Sequence, residues 1–142
     1  MYYRNGGNTM VYITGDIHGD TTPVHDLFDK CHPTEEDIIV LLGDVGINYT
    51  GQIRDRLMKQ ELSRLKSTFF CIHGNHENRP QNICSYQEKE WHGGRVLYEE
   101  DFPNILFPID GDIFDIECRQ CIVIGGAYSV DKFYRLRMGY NW

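Results

Sequence analysis

Val11-Tyr12-Ile13-Thr14-Gly15-Asp16-Ile17-His18-Gly19-Asp20 is the stretch from which the rest of the chain can be read. Its first four residues form an apolar, β-branched run of the kind that builds a buried strand. The run stops at a glycine, and side chains that carry chemistry follow. The same order returns twice. Ile38–Leu42 leads into Gly43-Asp44-Val45-Gly46, and Thr68–Ile72 leads into Gly74-Asn75-His76-Glu77. Helical patterns lie between these runs. Thr21-Thr22-Pro23 supplies a cap and a proline at a first helical position. Val24, Leu27, Phe28 and Cys31 then recur at helical spacing, and His32-Pro33 ends the helix. A second helix is predicted over residues 53–65, packing through Ile53, Leu57, Met58, Leu62 and Leu65. The order β-α-β-α-β predicts a parallel sheet with right-handed crossovers. All three blocks then emerge at one sheet edge, at the carboxyl ends of the strands, where open α/β sheets place their ligands.

A chain of 142 residues fits one domain with a real core. We expect a flexible lead-in over residues 1–9 and a single domain over residues 10–142. The net charge of −7 and pI near 5.3 argue against a general nucleic-acid binder, which would present a basic face. A phosphorylated substrate stays compatible with this balance, because bound metal ions reverse the local field. Five cysteines at 31, 71, 84, 118 and 121 do not make a secreted disulfide framework. Cys31 and Cys71 sit in apolar patterns and read as small core residues. Cys118 and Cys121 form a C-x-x-C without a second ligand pair, and a tight turn at Arg119-Gln120 accounts for the spacing equally well. No run reaches the roughly 20 apolar residues of a membrane span, and the start lacks a signal-peptide core. A cytoplasmic setting without membrane partners is expected.

Past Asn78 the pattern changes. Residues 78–94 read as a polar, irregular segment long enough to be a functional loop or lid. Strand-like runs follow at residues 95–98, 105–107, 113–117 and 121–124, the last two as an antiparallel hairpin. Gly125-Gly126-Ala127-Tyr128-Ser129 breaks the strand, and residues 130–142 are aromatic and basic. In that tail Lys132, Tyr134, Arg135 and Arg137 either meet a phosphate or belong to a solvated loop.

The three blocks bring two carboxylates, two imidazoles and an amide oxygen to one edge, a donor set suited to divalent metals. Asp16 and His18 flank Ile17, so in an extended segment both side chains point the same way and can chelate one ion. Asp44, from the neighbouring strand, can bridge that ion to a second, to which Asn75 offers an amide oxygen. Two ions about 3.5–4 Å apart would clamp a phosphate and generate a hydroxide between them. His76 is then placed to protonate a leaving alkoxide, the one catalytic side chain assigned. Glu77 orients His76 or caps the following segment. His25 and His32 read as surface or packing residues, His73 as the completion of its strand, and His92 as a loop residue without a partner.

With these residues the chain resembles the calcineurin-like metallophosphoesterases. The family pattern runs Asp-x-His, Gly-Asp-x-x-Asp, Gly-Asn-His-Glu or Gly-Asn-His-Asp, and then two further histidine segments. Asp16-Ile17-His18, Gly43-Asp44 and Gly74-Asn75-His76-Glu77 match the first three blocks, and residues 125–131 resemble a strand-to-loop segment of bacterial and phage members. The resemblance implies an α/β fold with a two-layer β-sandwich flanked by helices. It implies Mn, Fe or Zn held by Asp16, His18, Asp44 and Asn75, with His76 on the substrate phosphate. It also implies hydrolysis of phosphomonoesters or phosphodiesters by metal-activated water. Two departures stand out. Ile47 occupies the place of the second aspartate, and no histidine follows His92. The first metal position keeps three protein ligands and the second keeps Asp44 and Asn75, so one ion or two are expected. The chain then reads as the N-terminal portion of the fold. A non-catalytic module with at most one metal is the alternative. So is a site completed by further sequence or a second chain, with exposed sheet edges favouring a homo-oligomer.

Overall fold

A computed structural model describes residues 9–49, 53–127 and 130–139. The expected lead-in, residues 1–9, falls almost wholly outside them, as do Thr50, Gly51, Tyr128, Ser129 and the last three residues of the tail. The first half follows the sequence pattern. Strands β1 (Val11–Thr14), β2 (Ile38–Leu42) and β3 (Thr68–Ile72) alternate with helices α1 (Thr22–Cys31) and α2 (Ile53–Ser63). The three strands pair in parallel, Val11 opposite Ile38 and Ile38 opposite Thr68. Successive right-handed crossovers along one direction of the sheet place both helices on the same face. There Val24, Met58 and Leu62 pack on Ile39, Leu41, Phe69 and Cys71, the residues of β2 and β3 that point to that side.

The second half completes the sheet and covers its other face. A 3₁₀ turn at Pro80–Asn82 is followed by β4 (Gln87–Trp91), β5 (Gly94–Glu99) and β6 (Phe102–Pro108). β6 runs parallel to β3 and antiparallel to β5, giving a six-stranded mixed sheet in the order β1-β2-β3-β6-β5-β4. The hairpin β7 (Ile113–Ile116) and β8 (Arg119–Ile122) forms the second β layer. Phe114, fully buried, sets its ring edge-on to Phe70 at 5.0 Å, and Ile116 and Val123 join Val40, Val96 and Leu106 beneath it. The hairpin covers the middle of that face and leaves Ile13 and Leu42, toward the β1 edge, more than half exposed. A six-residue helix α3 (Lys132–Arg137) closes the described chain. Among the described residues no helix is long and apolar enough to cross a membrane.

Several expectations need correction. The polar segment 78–94 is not a lid: its second half is an edge strand whose Gln87, Glu88 and Glu90 face solvent, the charged edge by which a sheet avoids further pairing. α2 is rotated from the expected stripe. Ile53 and Leu57 are exposed, and Asp55, Met58, Lys59 and Leu62 turn inward, a face equally spaced at i, i+3, i+4 and i+7. The Lys59 ammonium explains the rotation, because it reaches Glu99 on β5 at 2.6 Å and lies 5.0 Å from the Tyr86 ring centre. Thr21 does not cap α1 with its side chain. Its hydroxyl donates to Glu61 on α2, and Asp20 accepts the Thr22 N–H instead. Cys31 ends α1 in solvent, whereas Cys71 is buried in the core. The hairpin turn falls on Glu117 and Cys118, both left-handed, not on Arg119-Gln120. Cys118 and Cys121 are both exposed, and Cys121 belongs to β8. His92 has partners: its Nδ1 meets the Asp115 carbonyl at 2.8 Å and its ring lies against Trp91.

Candidate metal centre

The carboxyl ends of β1, β2 and β3 deliver Asp16, Asp44 and Asn75 side by side, because the parallel register is in step. Backbone hydrogen bonds then lace the three loops together. Asp16 N–H donates to the Gly43 carbonyl at 3.1 Å, His18 N–H to that of Asp44 at 2.8 Å, and Gly43 N–H to that of Ile72 at 2.9 Å. The Asp44 carboxylate accepts the His76 N–H at 3.1 Å. Gly74 has no side chain because a Cβ there would overlap the Asp44 carboxylate.

Glu77 is the clamp of this edge. It is 3 % exposed, and its two carboxylate oxygens accept the N–H of Gly46 at 2.7 Å and of Gly74 at 3.0 Å. Burial pushes its carboxyl above the ordinary range, and the two backbone hydrogen bonds act against that shift. These contacts differ from both roles expected for Glu77: its carboxylate ties the second block to the start of the third, instead of orienting His76 or capping the segment that follows.

Three ligand atoms, one each from Asp16, His18 and Asp44, lie within 4.8 Å of one another, and this is the one such group among the described residues. Asp16 Oδ1 and His18 Nε2 are 3.0 Å apart, about the separation of neighbouring donors around an ion with bonds of about 2.1 Å. The route differs from the expected one. Asp16, His18 and Asp44 are all left-handed, with φ of 59°, 47° and 40°, so the pair meets through single strained residues and not through an extended strand. Asp44 sits between two clefts. One, of about 640 Å³, is lined by His18, Tyr49, Arg54, His76 and Arg135; the other, of about 400 Å³, by Asp16, Asn75, His73 and Gly125. Asn75 lines the second cleft together with Asp16, whereas His18 and His76 line the first.

His76 enters the larger cleft with its ring 6.0 Å from that of His18 and its Nε2 3.9 Å from Asp44 Oδ2. Arg135, from α3, reaches its other nitrogen: Nη1 donates to His76 Nδ1 at 2.7 Å, and the guanidinium lies 5.7 Å from the Tyr49 ring centre. Of the four tail residues singled out, Arg135 is buried at the site, while Tyr134 and Arg137 are exposed.

A family model described as calcineurin-like phosphoesterase matches residues 9–141. The chain belongs to the calcineurin-like phosphoesterase family. Members are metal-dependent hydrolases of phosphate esters in general, and the Asp16–His18–Asp44 group is a metal-competent cluster of the kind such a member requires. No curated protein and no solved structure matches the chain.

Beside the phosphoesterase cluster, one polar group escaped the sequence reading. His73 is buried, with Nε2 2.8 Å from Asp110 Oδ2 and Nδ1 3.2 Å from the Gly74 carbonyl. Asp110 also accepts the Gly125 N–H at 2.8 Å, and Gly126 N–H donates to the His73 carbonyl at 2.9 Å. A Cβ on Gly125 would strike the His73 ring. These contacts fasten residues 125–126 behind the third block. Asp110 offered no signal beyond Asp110-Gly111, an ordinary turn pair. His25 likewise has a structural partner, Glu61, at 2.6 Å.

Proposed function

We propose that this chain hydrolyses a phosphate monoester or diester with a divalent ion held by Asp16, His18 and Asp44. The observation that carries this reading is the convergence of those three ligand atoms where two clefts meet, His18 and Asp44 lining the one of about 640 Å³ and Asp16 and Asp44 the one of about 400 Å³. One imidazole and two carboxylates suit Mn, Fe or Zn. Asn75, across Asp44, is the one further ligand for a second ion in the adjacent cleft, so the first position fills more tightly. When bound, such an ion neutralises phosphate charge and makes a coordinated water acidic enough to serve as nucleophile near neutral pH. The chain's own part is positional. Glu77 and the laced loops hold the ligands before any ion arrives, so little reorganisation is needed on binding. His76 faces the phosphate from the opposite wall, and Tyr49 and Arg54 border the space left for the esterified group.

The purified chain with Mn²⁺ is expected to hydrolyse an activated aryl phosphate. Asp44→Asn, which weakens the shared ligand, is expected to lower turnover by about 10²-fold or more. Absence of turnover across Mn, Fe, Zn and Ni would overturn the reading of this chain as an active enzyme.

A further inference from the structure

Arg135 is the one residue of α3 that is buried; Phe133, Tyr134 and Leu136 of the same helix are each more than half exposed. Its guanidinium is inserted between the Tyr49 ring and His76, on the wall of the larger cleft. A guanidinium carries donors and no acceptor. The 2.7 Å contact therefore requires His76 Nδ1 to be the acceptor, with no proton of its own. In the neutral ring the proton then resides on Nε2, the nitrogen that faces the Asp44 carboxylate and the site.

We propose that Arg135 is a positioning residue that fixes the tautomer of His76, making Nε2–H a hydrogen-bond donor to a phosphate oxygen in the cleft. The inference rests on the reading of the site as a phosphoesterase centre. It also revises the part assigned to His76. A neutral ring that surrendered its Nε2 proton while Nδ1 accepted from Arg135 would be left as an anion. The proton accordingly stays on Nε2, and His76 stabilises negative charge on the phosphoryl or leaving oxygen by donation alone, as a preorganised donor does at an oxyanion.

The test has two readouts. The first is ¹⁵N NMR of the histidine side chains at about pH 8.5, where an ordinary imidazole is neutral. It is run on chelator-treated and Zn²⁺-loaded chain, with His76 assigned by its disappearance in His76→Ala. His76 should show a bare Nδ1 and a protonated Nε2 in wild type, and Arg135→Met should give a mixture of tautomers. A protonated Nδ1 in wild type, or an unchanged ring in Arg135→Met, overturns the proposal; the wild-type measurement needs no variant to fold. The second is a double-mutant cycle on Mn²⁺-dependent turnover. Arg135→Met should lower kcat about tenfold or more in wild type and less than about twofold in His76→Ala. Equal losses in both backgrounds would show that Arg135 acts on the fold or on substrate directly, against the proposal. If wild type shows no turnover, the phosphoesterase reading fails by that result, and the nitrogen measurement still decides what Arg135 does to His76.

Discussion

Removing the Glu77 carboxylate tests the proposal that the candidate metal ligands are held in place before an ion binds. Glu77→Ala strips the acceptors from two backbone N–H groups, those of Gly46 and Gly74, in a place where Glu77 itself is only 3 % exposed. Hydrogen bonds to a charged acceptor contribute about 1.5–3 kcal/mol each, so the two together are worth about 3–6 kcal/mol. Part of that is offset, because the substitution also removes a carboxylate whose burial is unfavourable enough to push its titration upward. The expected net loss is about 2–4 kcal/mol, a large share of the stability of a domain of this size. Glu77→Gln is the finer probe. Its amide nitrogen must face one of the two N–H donors, so it loses one bond and keeps the other, for about 1–2 kcal/mol. Urea unfolding in chelator measures both, by linear extrapolation. Calorimetric Mn²⁺ titration of the folded variants should then show affinity about 10–100-fold lower, since the Gly46 loop carries Asp44. An alanine variant within about 0.5 kcal/mol of wild type that binds Mn²⁺ equally well would refute the clamp.

Two further perturbations probe the supports around the site. Asp110→Ala unties Gly125 from His73 and is expected to cost about 1 kcal/mol at neutral pH, given the partial exposure of Asp110. Burial alone would raise the Asp110 carboxyl, but hydrogen bonds from His73 and Gly125 hold it below its ordinary value of 3.8. A depressed native value means that this stabilisation is present above pH 3.8 and is lost as pH falls through the native value. Unfolding curves of wild type and variant should therefore converge in acid, and a gap that widens there would contradict the assignment. Lys59→Met leaves the carboxylate of Glu99 without its buried ammonium and is expected to cost about 3 kcal/mol, with much of the loss recovered in Lys59→Met/Glu99→Leu. Equal instability of single and double variants by thermal unfolding would count against a strong ion pair.

The parts of the fold that could be read in advance are those where burial is two-sided. β2 and β3 are continuous apolar runs because helices cover one face and the hairpin part of the other, so periodicity and composition agree. β4 failed for the opposite reason. Gln87-Glu88-Lys89-Glu90-Trp91 buries little, and its Lys89 rests on the Tyr98 ring 4.2 Å away, a partner that only the folded sheet supplies. α2 was legible as a helix but not in its rotation. Met58 and Leu62 belong to both the expected and the observed faces, and Glu99, 40 residues from Lys59, favours the face completed by Asp55 and Lys59 over the one completed by Ile53 and Leu57.

The convergence of the candidate ligands was legible for a different reason. Asp16, His18 and Asp44, the three that the structure groups, follow on strands that periodicity identifies, and parallel pairing in register suffices to bring those strand ends together. The conformation that joins Asp16 to His18 was not legible, since residue alternation presumes an extended chain and both residues are left-handed. Such conformations persist only where the surroundings over-determine them, and here the surroundings are the interloop hydrogen bonds, the Glu77 clamp and the close approach of Gly74 to Asp44. Arg135 was legible only as one of four tail residues able to meet a phosphate, and its contact with His76 was not legible at all. It is 59 residues from His76, on a six-residue helix with no apolar stripe to predict where it docks. A motif specifies which donor atoms gather at a strand edge; it does not say on which nitrogen of His76 the proton sits. That is decided by whichever group meets Nδ1, and a carboxylate in the place of Arg135 would draw the proton to Nδ1 and leave Nε2 an acceptor, facing the Asp44 carboxylate and an anionic substrate without a proton to offer.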